Sequence, residues 1–414
     1  MRFIYTIGIW FYTLGIRLTA LFGHQKARQM VHGWRRWRDE LANLDERPVV
    51  WFHAASLGEF EQARPVLERY LERHPEQQVL LTFFSPSGYE VRKNYPLAQA
   101  VCYLPPDLPL TVMWFTMHLI DLRAVFFVKY DFWFNYLNKL RQAHIPTYLI
   151  SSIFRPSQYF FRPWGRWFLR QLKDCYTHIF VQNEESMQLL KTHGVERCTM
   201  AGDTRFDRVH QIAEAAERNE VVEAFLKGHD GKVLVCGSTW PPDEELIAKL
   251  KVESLKLKVI LAPHVIGEEH LRQIEQMFPG CVRYSRFSSD SSSSSLSSGV
   301  LIIDNIGLLS KLYRYADIAY IGGGFGVGIH NILEAVTFGK PVFFGPNYHK
   351  FQEAKDIIAC GGGWSIRGEY DMVEGEFKHL LTHPDELQRA SQACLDYMSA
   401  NLGSTEKILS TIEK

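Results

Sequence analysis

Beyond residue 48 the chain alternates short, largely apolar runs with longer stretches whose apolar positions recur every three or four residues. Val49–His53, Val79–Phe83, Ala100–Leu104, Ala124–Val128, Thr147–Ile150 and Ile179–Val181 read as buried strands. Between them lie helical patterns, such as Phe60, Ala63, Leu67 and Leu71. Strands with no polar face belong to a parallel sheet covered by helices on both sides. A charged helix from Val209 to Leu226 leads to Gly228 and Gly231, a connection after which the alternation restarts. The second set of strands is Val233–Cys236, Val259–Leu261, Val300–Ile303 and Ile318–Ile321. The fold class is therefore α/β, with two successive doubly wound, Rossmann-like domains and a cleft expected between them. Ser288–Ser298 is a serine-rich surface loop without chemistry. A helical pattern from Asp385 onward closes the chain, and there is no sustained internal repeat.

The first 24 residues break this rhythm. Phe3–Phe22 is almost continuously apolar, and about 20 such residues suffice to cross a bilayer. Arg17 sits late enough to snorkel toward an interface, and Tyr5, Trp10 and Tyr12 suit interfacial depth. Five basic residues follow (Lys26, Arg28, Arg35, Arg36, Arg38), placed to stay on the cytoplasmic side and attract anionic head groups. A cleaved signal peptide would carry its charge before the apolar run rather than after it. The segment is read as a membrane-anchor helix, and its composition fits both a spanning and an in-plane helix. The expected organisation is 1–24 anchor, 25–210 first α/β domain, 211–385 second α/β domain, and 386–414 a C-terminal helix free to pack back on the first domain.

Composition narrows the partners. The 414 residues carry a formal net charge of zero, which points away from nucleic acid. Seven cysteines are scattered without a CxxC pair, so neither a disulfide framework nor a zinc site is expected. No cluster of metal ligands stands out, and the expected metal content is none.

The stretch richest in chemistry is Gly322-Gly-Gly-Phe-Gly-Val-Gly-Ile-His-Asn-Ile-Leu-Glu-Ala335. It follows a strand and leads into a helix expected to start near Asn331, an arrangement that turns backbone N–H groups toward an anion. It fails the dinucleotide fingerprint, because the third glycine position falls on Val327 or Ile329. Glu334 either accepts hydrogen bonds from a ribose or caps the helix with Asn331. In the first domain, Glu59 follows the small-residue turn Ala54-Ala-Ser-Leu-Gly58. It is either a general base or a carboxylate stabilising its helix dipole. Lys129-Tyr-Asp131, Ser151–Arg155 and Gln182–Glu185 follow other strand ends, where open α/β sheets bind ligands. Asp131 and the Gln182–Glu185 stretch also read as helix caps. The aromatic segment Tyr159–Leu169 reads equally as core or as a lipid-facing surface.

Taken in register, these segments resemble the Kdo (3-deoxy-D-manno-octulosonic acid) transferases of lipopolysaccharide synthesis. The resemblance is carried by His53–Glu59, Lys129–Trp133, Gln182–Glu185, Gly202–Asp207, Gly237–Thr239, Asp304–Gly307 and Gly322–Pro346, with the N-terminal anchor, and covers essentially the whole chain. It implies a GT-B glycosyltransferase at the bacterial inner membrane, its catalytic body facing the cytoplasm. It implies transfer of Kdo from CMP-Kdo to a lipid A precursor, with inversion and with no cofactor besides the donor. Glu59 falls on the family's catalytic base, and Lys129, Asp131 and Arg205 line the site. The CMP site falls on Pro263 and His264, on Ile306, Gly307 and Leu308, and on Asn331, Ile332, Leu333 and Glu334. Four positions depart from the family's usual residues: His264 for Arg, Lys129 for a carboxylate, Arg205 for Lys and Leu308 for Glu. A GT-B transferase using a UDP-sugar on another membrane acceptor is the competing reading.

Overall fold

The computed structural model describes residues 1–250, 256–287, 299–368 and 375–413; the serine-rich stretch lies outside them. The chain divides into two units, the first of residues 1–208 and 402–414, the second of residues 209–401. The first begins with helices α1 (Arg2–Leu21) and α2 (Gln25–Leu41). Its strands are β1 (Val49–Ala54), β2 (Gln78–Phe83), β3 (Ala100–Tyr103), β4 (Leu122–Val128), β5 (Thr147–Ser152), β6 (His178–Val181) and β7 (Cys198–Met200). The second unit carries β8 (Lys232–Thr239), β9 (Leu257–Pro263), β10 (Val282–Arg283), β11 (Val300–Ile302), β12 (Ile318–Ile321), β13 (Val342–Phe344) and β14 (Gly363–Ser365).

Among the described residues each unit holds one seven-stranded sheet, and all its pairings are parallel. The orders are β3-β2-β1-β4-β5-β6-β7 and β10-β11-β9-β8-β12-β13-β14. Both reverse direction beside their first strand, between β1 and β4 and between β8 and β12. Such a switch point opens a crevice at the strands' carboxyl ends, because the following loops turn to opposite faces. The strand interiors explain the apolar runs: every residue of β1 is buried, and so is every residue of β9. Trp51 illustrates the packing. It is fully buried, its ring meets Phe115, Phe127 and Tyr136 edge-on or tilted, and its indole N–H donates to Thr82 Oγ1 at 2.7 Å. The last contact satisfies the one polar group that an indole carries into a core.

Several expectations need correction. The helix read over Val209–Leu226 is two helices, Thr204–Glu214 and Glu220–Leu226. Asn219 starts the second, its side chain accepting the Val222 amide at 3.1 Å, and a cap of this kind ends one helix by beginning another. The segment 386–414 is not one element either. The helix Pro384–Asn401 stays with the second unit, where Leu387, Ala390, Cys394 and Met398 are buried. Gly403, in the left-handed region at φ 91°, breaks the chain, and only the helix Ser404–Ile412 belongs to the first unit. There Ile408 and Leu409 enter the core, and Asp207 accepts the amides of Gly403 and Thr405 at 2.7 and 2.6 Å. The sequence pattern does not mark strands β7, β10, β13 and β14, each two or three residues long.

α1 is long and apolar enough to cross a membrane by length and composition. The aromatic segment is mainly core: Phe160 is buried, and Tyr159, Phe161, Trp167 and Phe168 pack on the core around it. Trp164 is the exception, 64% exposed. All seven cysteines are free thiols, five of them buried.

Candidate active site and nucleotide site

In the first unit the switch point lies between β1 and β4, and the two strand ends carry the predicted acid–base groups. After β1, Ser56 precedes helix α3 (Leu57–Arg73), whose first turn holds Glu59. The half-buried Glu59 carboxylate folds back, and its Oε2 accepts the Ala55 amide at 2.7 Å. The carboxylate thus satisfies the Ala55 amide just before the helix N-cap, and it stands at the switch point. Burial raises its pKa above the ordinary glutamate value, against the lowering effects of the Ala55 amide, the Lys129 charge and the Ser56 amide. A carboxylate held in this way is a stronger base than one in water.

After β4 come Lys129 and Asp131. Lys129 adopts φ 63°, a conformation that costs a lysine energy and is kept only where surrounding structure enforces it. Its amide donates to Ile150 O at 2.9 Å, and its charge acts on Glu59. Ser151, at the end of the neighbouring strand, is also left-handed at φ 53°, and Gln182 Nε2 donates to its carbonyl at 3.1 Å. Asp131 is buried, and burial, with the Glu59 charge second, raises its pKa well above the usual aspartate range. It does not act as a helix cap. Its Oδ2 lies 3.4 Å from His53 Nε2.

His53 was not among the expected site residues. It is fully buried, its Nδ1 is 2.8 Å from Thr82 Oγ1, and its Nε2 accepts the Trp133 indole N–H at 3.2 Å. Because an indole can only donate, the Nε2 lone pair faces Trp133, and Nδ1 carries the proton toward Thr82. Burial lowers its pKa to about 3, so the ring is neutral. The only hint in the sequence was a histidine within an otherwise apolar strand.

Arg205 is placed differently from a free cationic wall. Its Nε donates to Asp203 Oδ2 at 2.8 Å, and Asp203 Oδ1 in turn accepts Gln62 Nε2 at 3.3 Å. Gln62 is one turn beyond Glu59 on α3, so the Asp203–Arg205 loop is fastened to the same helix. Thr204 Oγ1 adds a 2.6 Å bond to Gln62 O. Gln182–Glu185 is a capping stretch, with Asn183 Oδ1 accepting the Ser186 amide at 3.0 Å.

In the second unit the glycine stretch follows β12, and Ser238 and Thr239 end β8 on the other side of the switch point. A β-carbon on Gly322 would stand 2.3 Å from Ser238 O, and one on Gly324 2.6 Å from the Gly345 backbone. The glycines therefore permit backbone to lie against backbone. Asp243, buried and unremarked in the sequence, fastens the loop: Oδ2 accepts the amides of Gly323 and Trp240, each at 2.9 Å, and Oδ1 accepts the Tyr320 hydroxyl at 2.7 Å.

The helix expected from Asn331 is a single turn, Leu333–Val336. Asn331 Oδ1 accepts the Leu333 amide at 3.2 Å, and Asn331 Nδ2 donates to Glu334 Oε1 at 3.1 Å. A one-turn helix sums few peptide dipoles, so anion binding here falls to individual amides rather than to a macrodipole. The Ile332 and Leu333 side chains are fully buried, leaving only their backbones for a ligand. Pro263 ends β9, and His264 donates its amide to Thr239 O at 2.9 Å. The exposed His264 ring is stacked between Trp240 and His330, at 4.7 and 4.5 Å between centroids. Ile306 is 88% exposed, Gly307 is left-handed at φ 94°, and Leu308 follows in the same turn beyond β11. The strand ends thus bring Pro263, His264 and the glycine loop to one edge of the second sheet, with Trp240 and His330 added by the structure.

Two units, each a parallel Rossmann-like sheet with polar groups at its switch point, define the GT-B class of fold. Residues 32–208 match the sequence model of the family described as 3-deoxy-D-manno-octulosonic-acid transferase (kdotransferase). The 3-deoxy-D-manno-octulosonic acid transferase of Aquifex aeolicus is 28% identical over 82% of this chain and 88% of its own. That of Rickettsia bellii is 25% identical over 98% of this chain and 96% of its own. Among solved structures, UDP-GlcNAc 2-epimerase from Neisseria meningitidis bound to UDP-GlcNAc shares the fold, with a TM-score of 0.60, 16% identity, and coverage of 88% of this chain and 99% of that one. These matches, over the first unit by the family model and over most of the chain by the relatives, support a Kdo glycosyltransferase of lipopolysaccharide synthesis, a class that implies a Kdo donor and a lipid acceptor.

Proposed function

We propose that this chain transfers Kdo from CMP-Kdo to a lipid A precursor (lipid IVA) at the cytoplasmic face of the inner membrane. Glu59 is the general base. It takes the proton of a glucosamine 6-hydroxyl as that oxygen bonds to the anomeric carbon of Kdo, and CMP leaves with the electrons of the broken bond. Attack opposite the leaving group inverts the anomeric centre. The observation that carries this reading is Glu59 itself: a carboxylate at a switch point whose basicity burial raises, against the lowering effect of the neighbouring Lys129 charge.

Lys129 and Arg205 offset the negative charge of an acidic donor sugar and its departing phosphate. Asp131 and His53 hold the Trp133 end of the same crevice. In the second unit Glu334 and Asn331 take the ribose hydroxyls. The phosphate goes to backbone amides of the glycine loop and of Ile306–Leu308, and Pro263 and His264 flank the nucleotide. Membrane lipid binds the N-terminal segment.

Incubation with CMP-Kdo and tetra-acylated lipid A precursor, followed by mass spectrometry, tests the proposal. A product heavier by one or more Kdo units is expected, and the number of added units reads the extent of transfer. An unmodified acceptor with intact CMP-Kdo would overturn it.

A further inference from the structure

We infer that α1 lies in the plane of an anionic bilayer, docked on the first unit along its whole length, and does not cross the membrane. The inference rests on the membrane reading above and decides its geometry. At about 1.5 Å per residue, 20 residues reach just across a hydrocarbon core of about 30 Å. A spanning α1 would need all of them and could leave none against the body. The structure docks both ends.

Near its start, Tyr5 donates to Asp107 Oδ2 at 2.6 Å, and Arg2 Nε donates to Asn135 Oδ1 at 3.1 Å. The Tyr5 ring lies edge-on to Phe134, with centroids 5.1 Å apart. In the middle, Thr13 is buried and Tyr12 stacks on Phe84. Near its end, Ile16 packs on Met30, Trp34 and Tyr103, and Ala20 O accepts Arg28 Nε at 3.0 Å. The stripe Tyr5, Ile9, Thr13, Ile16, Ala20 recurs at four, four, three and four residues, one helix face turned inward. Pulling α1 away would strip a donor from the fully buried Asp107 carboxyl.

The opposite face is apolar and uncovered. Phe3, Phe11 and Leu21 are 62–78% exposed, with Ile7 and Leu18 between them. Apolar exposure continues on neighbouring elements. Asp107, Tyr5's partner, directly precedes the helix Pro109–Met117, where Leu110, Trp114 and Met117 are exposed. Trp164 stands out from the segment that also supplies Trp167 to the Tyr5 ring. Exposed arginines lie on the same elements: Arg162 and Arg166 flank Trp164 in the chain, and Arg35, Arg36 and Arg38 are exposed on α2, the helix packed against α1. An apolar face accompanied by exposed arginines matches an anionic lipid surface. A second copy of the chain would set these arginines against their equals.

The test uses the full chain with Cys281→Ser and Cys360→Ser, which removes the thiols that are not buried. Single spin labels are placed through Phe3→Cys, Ile7→Cys, Phe11→Cys, Leu14→Cys, Leu18→Cys and Leu21→Cys. Vesicles of phosphatidylethanolamine and phosphatidylglycerol supply the surface, and accessibility to oxygen against a nickel chelate reads depth. All these positions are expected at one shallow depth, with binding at least about tenfold weaker when phosphatidylcholine replaces both lipids. Depth peaking at Phe11 and Leu14 and vanishing at Phe3 and Leu21 would mean a spanning helix and overturn the inference. Vesicle binding absent altogether would overturn the membrane reading with it, leaving a protein partner or a second copy to cover the face.

Discussion

Asp131 Oδ2 lies 3.4 Å from Nε2 of His53, a ring nitrogen already occupied by the indole N–H of Trp133. Two buried titratable groups meet with their charged forms disfavoured, the aspartate pKa raised and the histidine pKa lowered. The pair is a scaffold at the end of β1 and β4, and Glu59 is left as the base that titrates nearest the expected chemistry.

Glu59→Gln is expected to lower kcat by about 10²- to 10⁴-fold, the usual worth of a positioned base, while CMP-Kdo affinity stays within about twofold. Single-turnover rates and calorimetry on the same variant separate the two quantities. A variant that turns over normally would remove Glu59 from the mechanism.

The Lys129 charge lowers the Glu59 pKa, so Lys129→Met should raise it. A base must be deprotonated to act. The acidic limb of kcat/KM should therefore move to higher pH in the variant, with the plateau reached later. An unmoved limb would show that Glu59 does not control it.

His53 should make the protein acid-sensitive. Its folded pKa of about 3 lies below the unfolded value of 6.5, so the unfolded chain binds the extra proton between these values. Stability is fully present above about pH 6.5 and falls as pH drops toward 3, by on the order of 5 kcal/mol for a shift of this size. Asp107 opposes it. Burial raises that carboxyl from 3.8 to about 6, and its contribution is lost as pH rises through this window, by on the order of 3 kcal/mol. Asp131 and Glu59, also raised by burial, act in the same direction as Asp107, so the histidine term is read by difference: chemical denaturation from pH 7 to 4 should show His53→Gln losing less stability on acidification than the unaltered protein. An equal pH dependence in the two proteins would remove His53 as the acid-sensitive group.

Gly324→Ala should destabilise the second unit by about 1–3 kcal/mol, because its β-carbon would meet the Gly345 backbone at 2.6 Å and neither strand end can yield cheaply. Gly58→Ala, with nothing within 4 Å of the new carbon, should leave stability unchanged or slightly higher. Thermal unfolding of the two variants side by side makes the comparison.

Glu334→Ala should weaken CMP binding by about tenfold, as expected for loss of one charge-assisted acceptor. Isothermal calorimetry with CMP checks it, and equal affinity would move the ribose elsewhere.

Much of this protein is legible from sequence alone. Largely apolar strand runs specify buried parallel sheets, because any polar face would have to be paid for in unpaired groups. Their alternation with amphipathic stretches specifies the doubly wound order, and small-residue turns after strands mark where ligands approach. What the tertiary structure decided are relationships between residues distant along the chain. His53 acquires its neutral state from burial and its tautomer from Thr82 and Trp133, and Asp243 reaches a loop 80 residues away. The break at Gly403 and the one-turn helix after Asn331 depend on local capping that periodicity does not register. The N-terminal segment shows the division most plainly. Its length and apolarity make it a membrane helix by composition, but only its inward stripe, tied to Asp107 and Asn135, tells which way such a helix can lie. Hydrophobicity is a property of single residues, whereas orientation is set by the partners that folding brings alongside.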